Sequence, residues 1–191
     1  IYSMTKPVTG VALMQLFEQG LFQLSDPVSK FLPEFKNQQV YISGSFPMFI
    51  TEPVKREILV RDLLTHTSGL SYSINYKSHV DEAYRKAFNI SDPTASLVAK
   101  EKIDLEEFCK RIASLPLEFS PGEQWLYSVS IDVCARLVEV MSGKKIDEYF
   151  EENIFKPLEM NNTGFYVPEE NLKNLAVCYH RDVNKKITVH D

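Results

Sequence analysis

The sequence has few of the residues that mark metal sites or disulfide frameworks. Its three cysteines, Cys109, Cys134 and Cys178, are far apart and form no C-x-x-C pair, and the four histidines are not grouped with them. Neither a zinc site nor a set of disulfides is therefore expected. Cys109 and Cys134 fall in apolar helical patterns, which predicts buried free thiols. No motif in the chain implies a cofactor.

Long apolar runs and basic clusters are also missing. No apolar run is long enough to cross a bilayer, so we expect no membrane span. The formal charge is −5, and basic residues alternate with acidic ones. Nucleic acid is an unexpected partner for such a chain, because phosphate binding depends on clustered lysine and arginine. With 44% hydrophobic and 25% charged residues in a length of 191, the composition predicts one globular domain with a sizeable core. The sequence contains no signal for the cellular compartment or the oligomeric state.

Apolar periodicity predicts a mainly helical unit with few strands. Residues 3–20 and 128–142 are expected to form the two most apolar helices, both largely buried. Residues 36–57 are expected to be loop or short strand pieces, and the segment from Tyr179 onward a strand. Shorter helices are predicted at residues 28–32, 60–66, 81–89, 104–114 (with Asp104 as N-cap) and 147–155.

Residues 3–6, Ser-Met-Thr-Lys, form an S-x-x-K tetrad at the start of the first predicted helix. The spacing puts Ser3 and Lys6 one turn apart on the same face, so the amine can reach the hydroxyl. A serine becomes a good nucleophile when a neighbouring base takes its proton, and a lysine of lowered pKa can be that base. Taken alone, Ser3 is better explained as a helix N-cap, because about one S-x-x-K is expected by chance in a chain of this length. A second copy at residues 142–145 illustrates this.

Tyr127 lies between the turn at residues 120–123 and the second apolar helix. A tyrosine at that point can project its hydroxyl into a cleft, and a lysine ammonium close by favours the phenolate. Ser3 as nucleophile, Lys6 beside it and Tyr127 as partner base are therefore a self-consistent catalytic set. The alternative is that Tyr127 is a core aromatic residue with a satisfied hydroxyl.

Four motifs, in order, resemble the serine β-lactamase-related family, which includes class C β-lactamases, penicillin-binding proteins and esterase-like serine hydrolases. The motifs extend over roughly residues 1–166, and their joint occurrence favours Ser3 as a nucleophile over Ser3 as an N-cap. They are SMTKPV at residues 3–8 with LSDPV at 24–28, LLTHTSGL at 63–70, FSPG at 119–122 leading to Tyr127-Ser128, and FKPLEM at 155–160 with TGF at 163–165.

The resemblance implies an α+β fold of the β-lactamase/transpeptidase type, in which helices flank an antiparallel sheet. It also implies acylation and then deacylation at Ser3, with the Ser3 backbone N–H as one oxyanion donor and a small-molecule ester or amide as substrate. Residues 1–191 are expected to be a single incomplete domain, mainly its helical part. The strands before Ser3 and a later strand carrying Lys/His-x-Gly are expected to be absent, and this piece alone is expected to be inactive.

The chain departs from the family pattern two positions after Tyr127. Related β-lactamases and peptidases have an asparagine there that holds the substrate amide, whereas this sequence has Val129. An apolar side chain cannot form that hydrogen bond. This favours carboxylesterase or transesterase activity on small esters over β-lactamase or D-alanyl-D-alanine carboxypeptidase activity. A catalytically inactive binding or assembly protein of the same fold is the other alternative. Val129 and Trp125 are predicted to contact the substrate.

Other residues have less specific signals. His66 has no G-x-S-x-G serine to serve, so we expect a structural histidine bonded to the backbone. Four aromatic residues could line a substrate cleft, although packing within surface loops is the default expectation; they are Phe46, Phe49, Tyr72 and Tyr76.

Overall fold

The computed structural model describes residues 1–74, 78–90 and 102–189. In these residues the chain forms six α-helices, α1 (Thr5–Glu18), α2 (Val60–Leu64), α3 (His79–Ala87), α4 (Leu105–Ala113), α5 (Ser130–Ser142) and α6 (Ile146–Phe150). Four strands form two antiparallel hairpins, β1 (Gln39–Ser45) with β2 (Met48–Pro53) and β3 (Tyr179–Arg181) with β4 (Ile187–Val189). Short 3-10 turns lie at Tyr2–Met4, Val28–Lys30, Pro33–Phe35 and Glu169–Asn174, and a π-helical turn, Glu151–Phe155, continues α6.

The core is organised around the packing of α1 against α5. Helix α5 buries most of its length, including Val133, Cys134 and Leu137, because its apolar residues recur on more than one face. It ends at Gly143, which adopts the left-handed conformation (φ 71°) that favours glycine after a helix. Helix α5 therefore supports the first helix and the Tyr127 segment.

Helix α1 is less buried than its composition predicts. One face, with Ala12, Leu13 and Leu16, lies in the core, while Val11 on the opposite side is 50% exposed. The described part of the chain packs against one side of α1, so an apolar composition on all sides does not give burial on all sides. The prediction of a largely buried first helix is corrected in this respect.

Helix α2 ends two residues before the predicted boundary at His66. His66 has a positive φ of 56°, which is incompatible with continuing a right-handed helix, and Gly69 follows with φ 86°. The chain therefore makes a tight reversal across the HTSG motif. This reversal carries residues 66–72 towards the start of α5.

The hairpin β1–β2 occupies the region for which loop or short strand pieces were predicted. Its register runs from Gln39 opposite Pro53 to Ser45 opposite Met48, with an irregularity after Tyr41. A bridge between Val40 and Leu117 ties it to the body of the protein. The strand predicted from Tyr179 is confirmed as β3.

Two smaller predictions are also confirmed. Cys109 and Cys134 are buried free thiols, and the Asp104 side chain caps α4 by accepting the backbone N–H of Glu107 at 2.9 Å. Within the described ranges, no helix combines the length and apolar character that a membrane crossing needs, and no three His, Cys, Asp or Glu side chains are grouped as metal ligands.

Candidate active site

Three side chains from two distant parts of the sequence meet at one end of α1. The Ser3 Oγ lies 2.6 Å from the phenolic oxygen of Tyr127. The Lys6 Nζ donates a hydrogen bond to the same Ser3 Oγ at 3.2 Å. Ser3 is exposed, whereas Lys6 and Tyr127 are half-buried. The Ser3 hydroxyl is thus open to solvent while the two groups that contact it are held by the protein.

The local structure explains how Ser3 and Lys6 face the same direction. Ser3 lies in the 3-10 turn just before α1, and Lys6 lies in the first turn of the helix. The helix therefore begins at Thr5 and not at the predicted Ser3. Because the two side chains remain three residues apart across this turn, the amine still reaches the hydroxyl.

The Tyr127 segment is fixed by backbone hydrogen bonds to the reversal that follows α2. Leu126 N–H donates to the carbonyl of His66 at 2.9 Å, and Val129 N–H donates to the carbonyl of Ser71 at 3.1 Å. The two bonds lie on either side of Tyr127 in sequence. The HTSG reversal therefore acts as the template that directs Tyr127 towards Ser3.

Aromatic contacts hold the Tyr127 ring itself. Its centroid lies 5.4 Å from that of Tyr72 in a stacked arrangement and 4.9 Å from that of His66. The Lys6 Nζ lies 4.9 Å from the Tyr127 ring centroid and 5.7 Å from that of Tyr72. Both distances are within the range in which an ammonium is attracted to an aromatic ring. Tyr72 and Tyr127 thus form two walls around the Lys6 side chain.

The electrostatic surroundings of Tyr127 favour its ionised form. Burial by itself acts to raise the Tyr127 pKa, but hydrogen bonding with Lys6 and Ser3 and the positive charge of Lys6 outweigh it, so the pKa lies below its ordinary value. A tyrosine of lowered pKa is a better candidate for a base near neutral pH.

His66 has the structural role that was predicted for it. Its Nδ1 accepts the backbone N–H of Ser128 at 3.3 Å and lies 3.3 Å from the Ser128 hydroxyl. Burial, and then the charge of Lys6, lower the pKa of His66, so the ring is neutral at neutral pH and Nδ1 is free to accept. His66 therefore fixes the residue directly after Tyr127.

A chain of buried hydroxyls continues this anchoring beneath the site. The Ser128 Oγ lies 2.7 Å from the Ser130 Oγ, which lies 2.8 Å from the Ser68 Oγ. All three serines are fully buried. This chain of hydroxyls was not predicted from the sequence, because serines next to a motif are common in turns. The alternation of serines at positions 128 and 130 was the available signal.

A cavity of about 390 Å³ opens beside the three side chains, and Ser3, Lys6 and Tyr72 line it. Its lining also includes apolar side chains, among them Ile131 and Phe150. Asp132, in the first turn of α5, also faces this cavity. Asp132 was not identified as a site residue from the sequence, because it was one polar position in an apolar helix. Its spacing, five residues after Tyr127, was a visible signal.

The two residues predicted to contact the substrate lie in different environments. Val129 is 1% exposed and packs in the core, because the chain turns into α5 at this residue, so the prediction that Val129 contacts substrate is wrong. A preference for esters consequently does not follow from this side chain. Trp125 is 66% exposed and lies beside His66, with ring centroids 6.3 Å apart. A substrate contact by Trp125 stays a prediction.

The other predicted cleft aromatics divide in a similar way. Tyr72 lines the cavity. Phe49 packs edge-on against Tyr41, with ring centroids 5.9 Å apart, and the Phe46 ring centroid lies 6.0 Å from the Lys86 Nζ. Both rings therefore pack in and around the hairpin, in agreement with the expectation of packing within surface loops. Tyr76 lies outside the described residues.

Comparison with known proteins identifies the family that the chain matches. The profile of the family described as Beta-lactamase matches residues 1–190. The chain is 32% identical over 189 residues to Esterase EstB of Burkholderia gladioli, covering 99% of this chain and 43% of that protein. It is 34% identical over 162 residues to Acyltransferase calJ of Penicillium decumbens, covering 84% of this chain and 36% of that protein.

A solved structure with the same fold is that of simvastatin synthase (LovD) from Aspergillus terreus. The TM-score is 0.78 at 26% identity, over 99% of this chain and 45% of that one. This likeness confirms the predicted β-lactamase/transpeptidase-like α+β fold. The chain spans less than half the length of each of these three relatives.

Proposed function

The chain belongs to the β-lactamase family, and from this we propose that the whole protein is a serine hydrolase or acyltransferase that forms an acyl-enzyme through Ser3. The observation that carries the proposal is the contact of the Ser3 hydroxyl with both Tyr127 and Lys6, at 2.6 and 3.2 Å. A hydroxyl in contact with a potential base and a cation has the surroundings that nucleophilic catalysis needs. Small esters are the proposed substrates.

The proposed reaction has two halves. In acylation, Tyr127 as phenolate takes the Ser3 proton while Oγ bonds to the ester carbonyl carbon, and the resulting tetrahedral oxyanion collapses with loss of the alkoxide, which leaves with the proton from Tyr127. In deacylation, water or an acceptor alcohol gives its proton to Tyr127 and attacks the acyl carbon, and Ser3 regains the proton as it leaves. Lys6 stabilises the phenolate in both halves through its charge.

Ester chemistry is favoured over amide or β-lactam chemistry by the relatives and no longer by Val129. One relative is an esterase and another an acyltransferase by name, and either activity fits the same acyl-enzyme. β-Lactamase or D-alanyl-D-alanine carboxypeptidase-like activity is the second candidate, supported by the family and by a Bacillus subtilis relative named as a putative penicillin-binding protein. An inactive binding protein of the same fold has to leave the short Ser3–Tyr127 contact unused.

The test is turnover by the full-length gene product. We expect hydrolysis of p-nitrophenyl butyrate, little or no hydrolysis of nitrocefin, and covalent labelling by a fluorophosphonate at Ser3. Ser3→Ala is expected to lower turnover by roughly a thousandfold or more and to remove the label. Tyr127→Phe, which deletes only the phenolic oxygen, is expected to lower kcat by roughly 10²–10⁴-fold.

The chain contains a matched control in its second S-x-x-K tetrad. Ser142→Ala makes the same change at the end of α5, away from Tyr127, and should leave turnover and labelling unchanged. Native turnover that survives Ser3→Ala, or labelling that moves with Ser142, contradicts the proposal. Nitrocefin cleavage at the rate of ester cleavage replaces the esterase proposal by the β-lactamase one.

A further inference from the structure

The cavity beside Ser3 holds two charged side chains of opposite sign. Among the described residues that line it, Lys6 and Asp132 are the ones with ionisable acid or base groups other than tyrosine. The remaining wall is mainly apolar or hydroxyl-bearing, with Leu105, Ile146 and Phe165 on the apolar side. A substrate group that enters this cavity therefore meets hydrocarbon and two charges.

Asp132 is held in place by its position in the fold. It lies in the first turn of the 13-residue helix α5, where a carboxylate is favoured by the helix dipole. Its side chain is open to the cavity, yet the surrounding protein crowds it. This burial raises the pKa of Asp132, and the charge of Lys6 partly offsets the rise. The carboxyl group of Asp132 is thus part of the cavity wall, where it can act on a ligand.

The sign of the net charge in the cavity depends on the Asp132 carboxylate. When Tyr127 is a phenolate, Lys6 and Tyr127 cancel, and Asp132 leaves a net charge of −1. When Tyr127 is neutral, Lys6 and Asp132 cancel. Without Asp132 the two states have net charges of 0 and +1, and the cavity accepts an anion. In a confined site of low effective dielectric, one charge of either sign changes ligand affinity considerably.

We propose that Asp132 makes this site select esters with neutral or cationic acyl chains and reject esters that carry an anionic group on the acyl chain. The inference rests on the proposed function, because it concerns the substrates that reach Ser3. It assigns a specificity-determining role to Asp132 and leaves the proton transfers to Ser3, Lys6 and Tyr127. Like-charge repulsion is the physical basis, and rejecting a partner by such repulsion is a common source of specificity.

The experiment uses three p-nitrophenyl esters with acyl chains of similar length, ending in a methyl group, a sulfonate or a trimethylammonium group. The two charged ends do not titrate, so differences between the substrates report on the protein. With the full-length gene product at pH 8, we expect kcat/KM for the sulfonate ester to be about tenfold or more below that for the neutral ester. The trimethylammonium ester should match or exceed the neutral one.

Variants of Asp132 separate charge from shape. In Asp132→Asn, the ratio of kcat/KM for the sulfonate ester to that for the neutral ester should rise by about tenfold, and the ratio for the cationic ester to the neutral ester should fall. Asp132→Glu keeps the charge and should keep the discrimination. Asp132→Ser is a second neutral variant in case the asparagine variant does not fold. Glu18→Gln removes one negative charge at an exposed position on α1 and should alter none of the ratios.

The outcomes distinguish this inference from the proposed function. If the native protein turns over none of the three esters, the proposed function fails and the inference fails with it. If the neutral ester is cleaved but the sulfonate ester is cleaved equally well, only the inference is overturned. A change in all three substrates by one common factor in Asp132→Asn also overturns it, since Asp132 then acts on the catalytic groups or on folding and not on the substrate charge.

Discussion

The ring of Tyr72 is stacked on the ring of Tyr127, with centroids 5.4 Å apart and an interplanar angle of 29°. Tyr72 belongs to the segment after the HTSG reversal, and Tyr127 belongs to the segment before α5. Because the Tyr127 hydroxyl makes the short contact with Ser3, any freedom of the Tyr127 ring is freedom in the position of the proposed base. The stack therefore links the geometry of the reversal to the reactivity of Ser3.

Removal of the Tyr72 ring should impair Tyr127 without touching Ser3. An aromatic pair contributes about 0.5–1.5 kcal/mol beyond its buried area, and we expect Tyr72→Ala to lower kcat for p-nitrophenyl butyrate by about tenfold. Tyr72→Phe keeps the ring and should remain within about threefold of native. Steady-state kinetics on the three proteins checks this. Equal losses in Tyr72→Ala and Tyr72→Phe would assign the effect to the Tyr72 hydroxyl and not to the stack.

His66 should make the Tyr127 segment sensitive to acid. The Nδ1 atom can accept the Ser128 N–H only while it carries no proton, and the His66 pKa is lowered by burial and then by Lys6. In the window from that lowered value up to the ordinary 6.5, the folded protein binds fewer protons at His66 than the unfolded chain does. Stability and kcat should therefore both fall as the pH decreases through this window.

Substitution of His66 tests the same contact. His66→Asn places an amide oxygen near the Nδ1 position and tolerates the positive φ of 56°, so it should keep much of the activity and lose the acid-dependent decline. His66→Leu removes the acceptor and should lower both the melting temperature and kcat at every pH. Melting temperature and kcat are measured from pH 5 to pH 8. An acid decline that persists unchanged in His66→Asn excludes His66 as its source.

The carboxylate of Glu118 should reduce stability as the pH rises above 4.5. Its Oε1 accepts the hydroxyls of Ser71, at 3.2 Å, and of Ser78. Burial nevertheless raises the Glu118 pKa, with a further contribution from Asp81 that also raises it. A carboxyl whose folded pKa is raised binds more protons in the folded state, so its contribution to stability decreases as the pH rises above 4.5.

Glu118→Gln removes the ionisation and keeps an acceptor oxygen. We expect the melting temperature of Glu118→Gln, taken relative to that of the native protein, to be higher at pH 8 than at pH 4.5. Thermal unfolding at the two pH values measures this difference of differences. Glu52→Gln, on the exposed part of β2, is the control and should show no such pH dependence. The expectation is wrong if both variants behave alike.

Gly69 should be far more sensitive to substitution than another glycine with a similar backbone conformation. Gly69 has φ 86°, and a Cβ atom there would clash with the Phe119 carbonyl oxygen. Gly143 has φ 71°, with nothing within 4 Å of the corresponding position. Gly143→Ala should cost about 1 kcal/mol for the positive φ, whereas Gly69→Ala should cost about 3 kcal/mol or more because backbone atoms must move as well. Urea denaturation of both variants gives the comparison, and equal costs would show that the contact at Phe119 is easily relieved.

Local signals in the sequence located most helices. The apolar spacing from Ile131 to Leu137 predicted α5, and Asp104 was identified as an N-cap because a short acid before an apolar run satisfies the first free N–H groups. Boundaries were less accurate where a single backbone angle decides them, as at His66. The apolar composition of α1 predicted that the helix would be largely buried, but burial depends on what packs against each face, and composition does not contain that information.

The sequence by itself determined which chemical groups are present and how near neighbours are spaced: Ser3 and Lys6 are one helical turn apart in any structure that is helical there, and four ordered motifs indicated the family. Only the tertiary structure decided that Tyr127 reaches a hydroxyl 124 residues away, that Val129 turns into the core and that Asp132 faces the cavity. The physical reason is that helical spacing is fixed by the backbone within a few residues. The direction of a side chain from a distant segment is set by how α1, α5 and the HTSG reversal pack together.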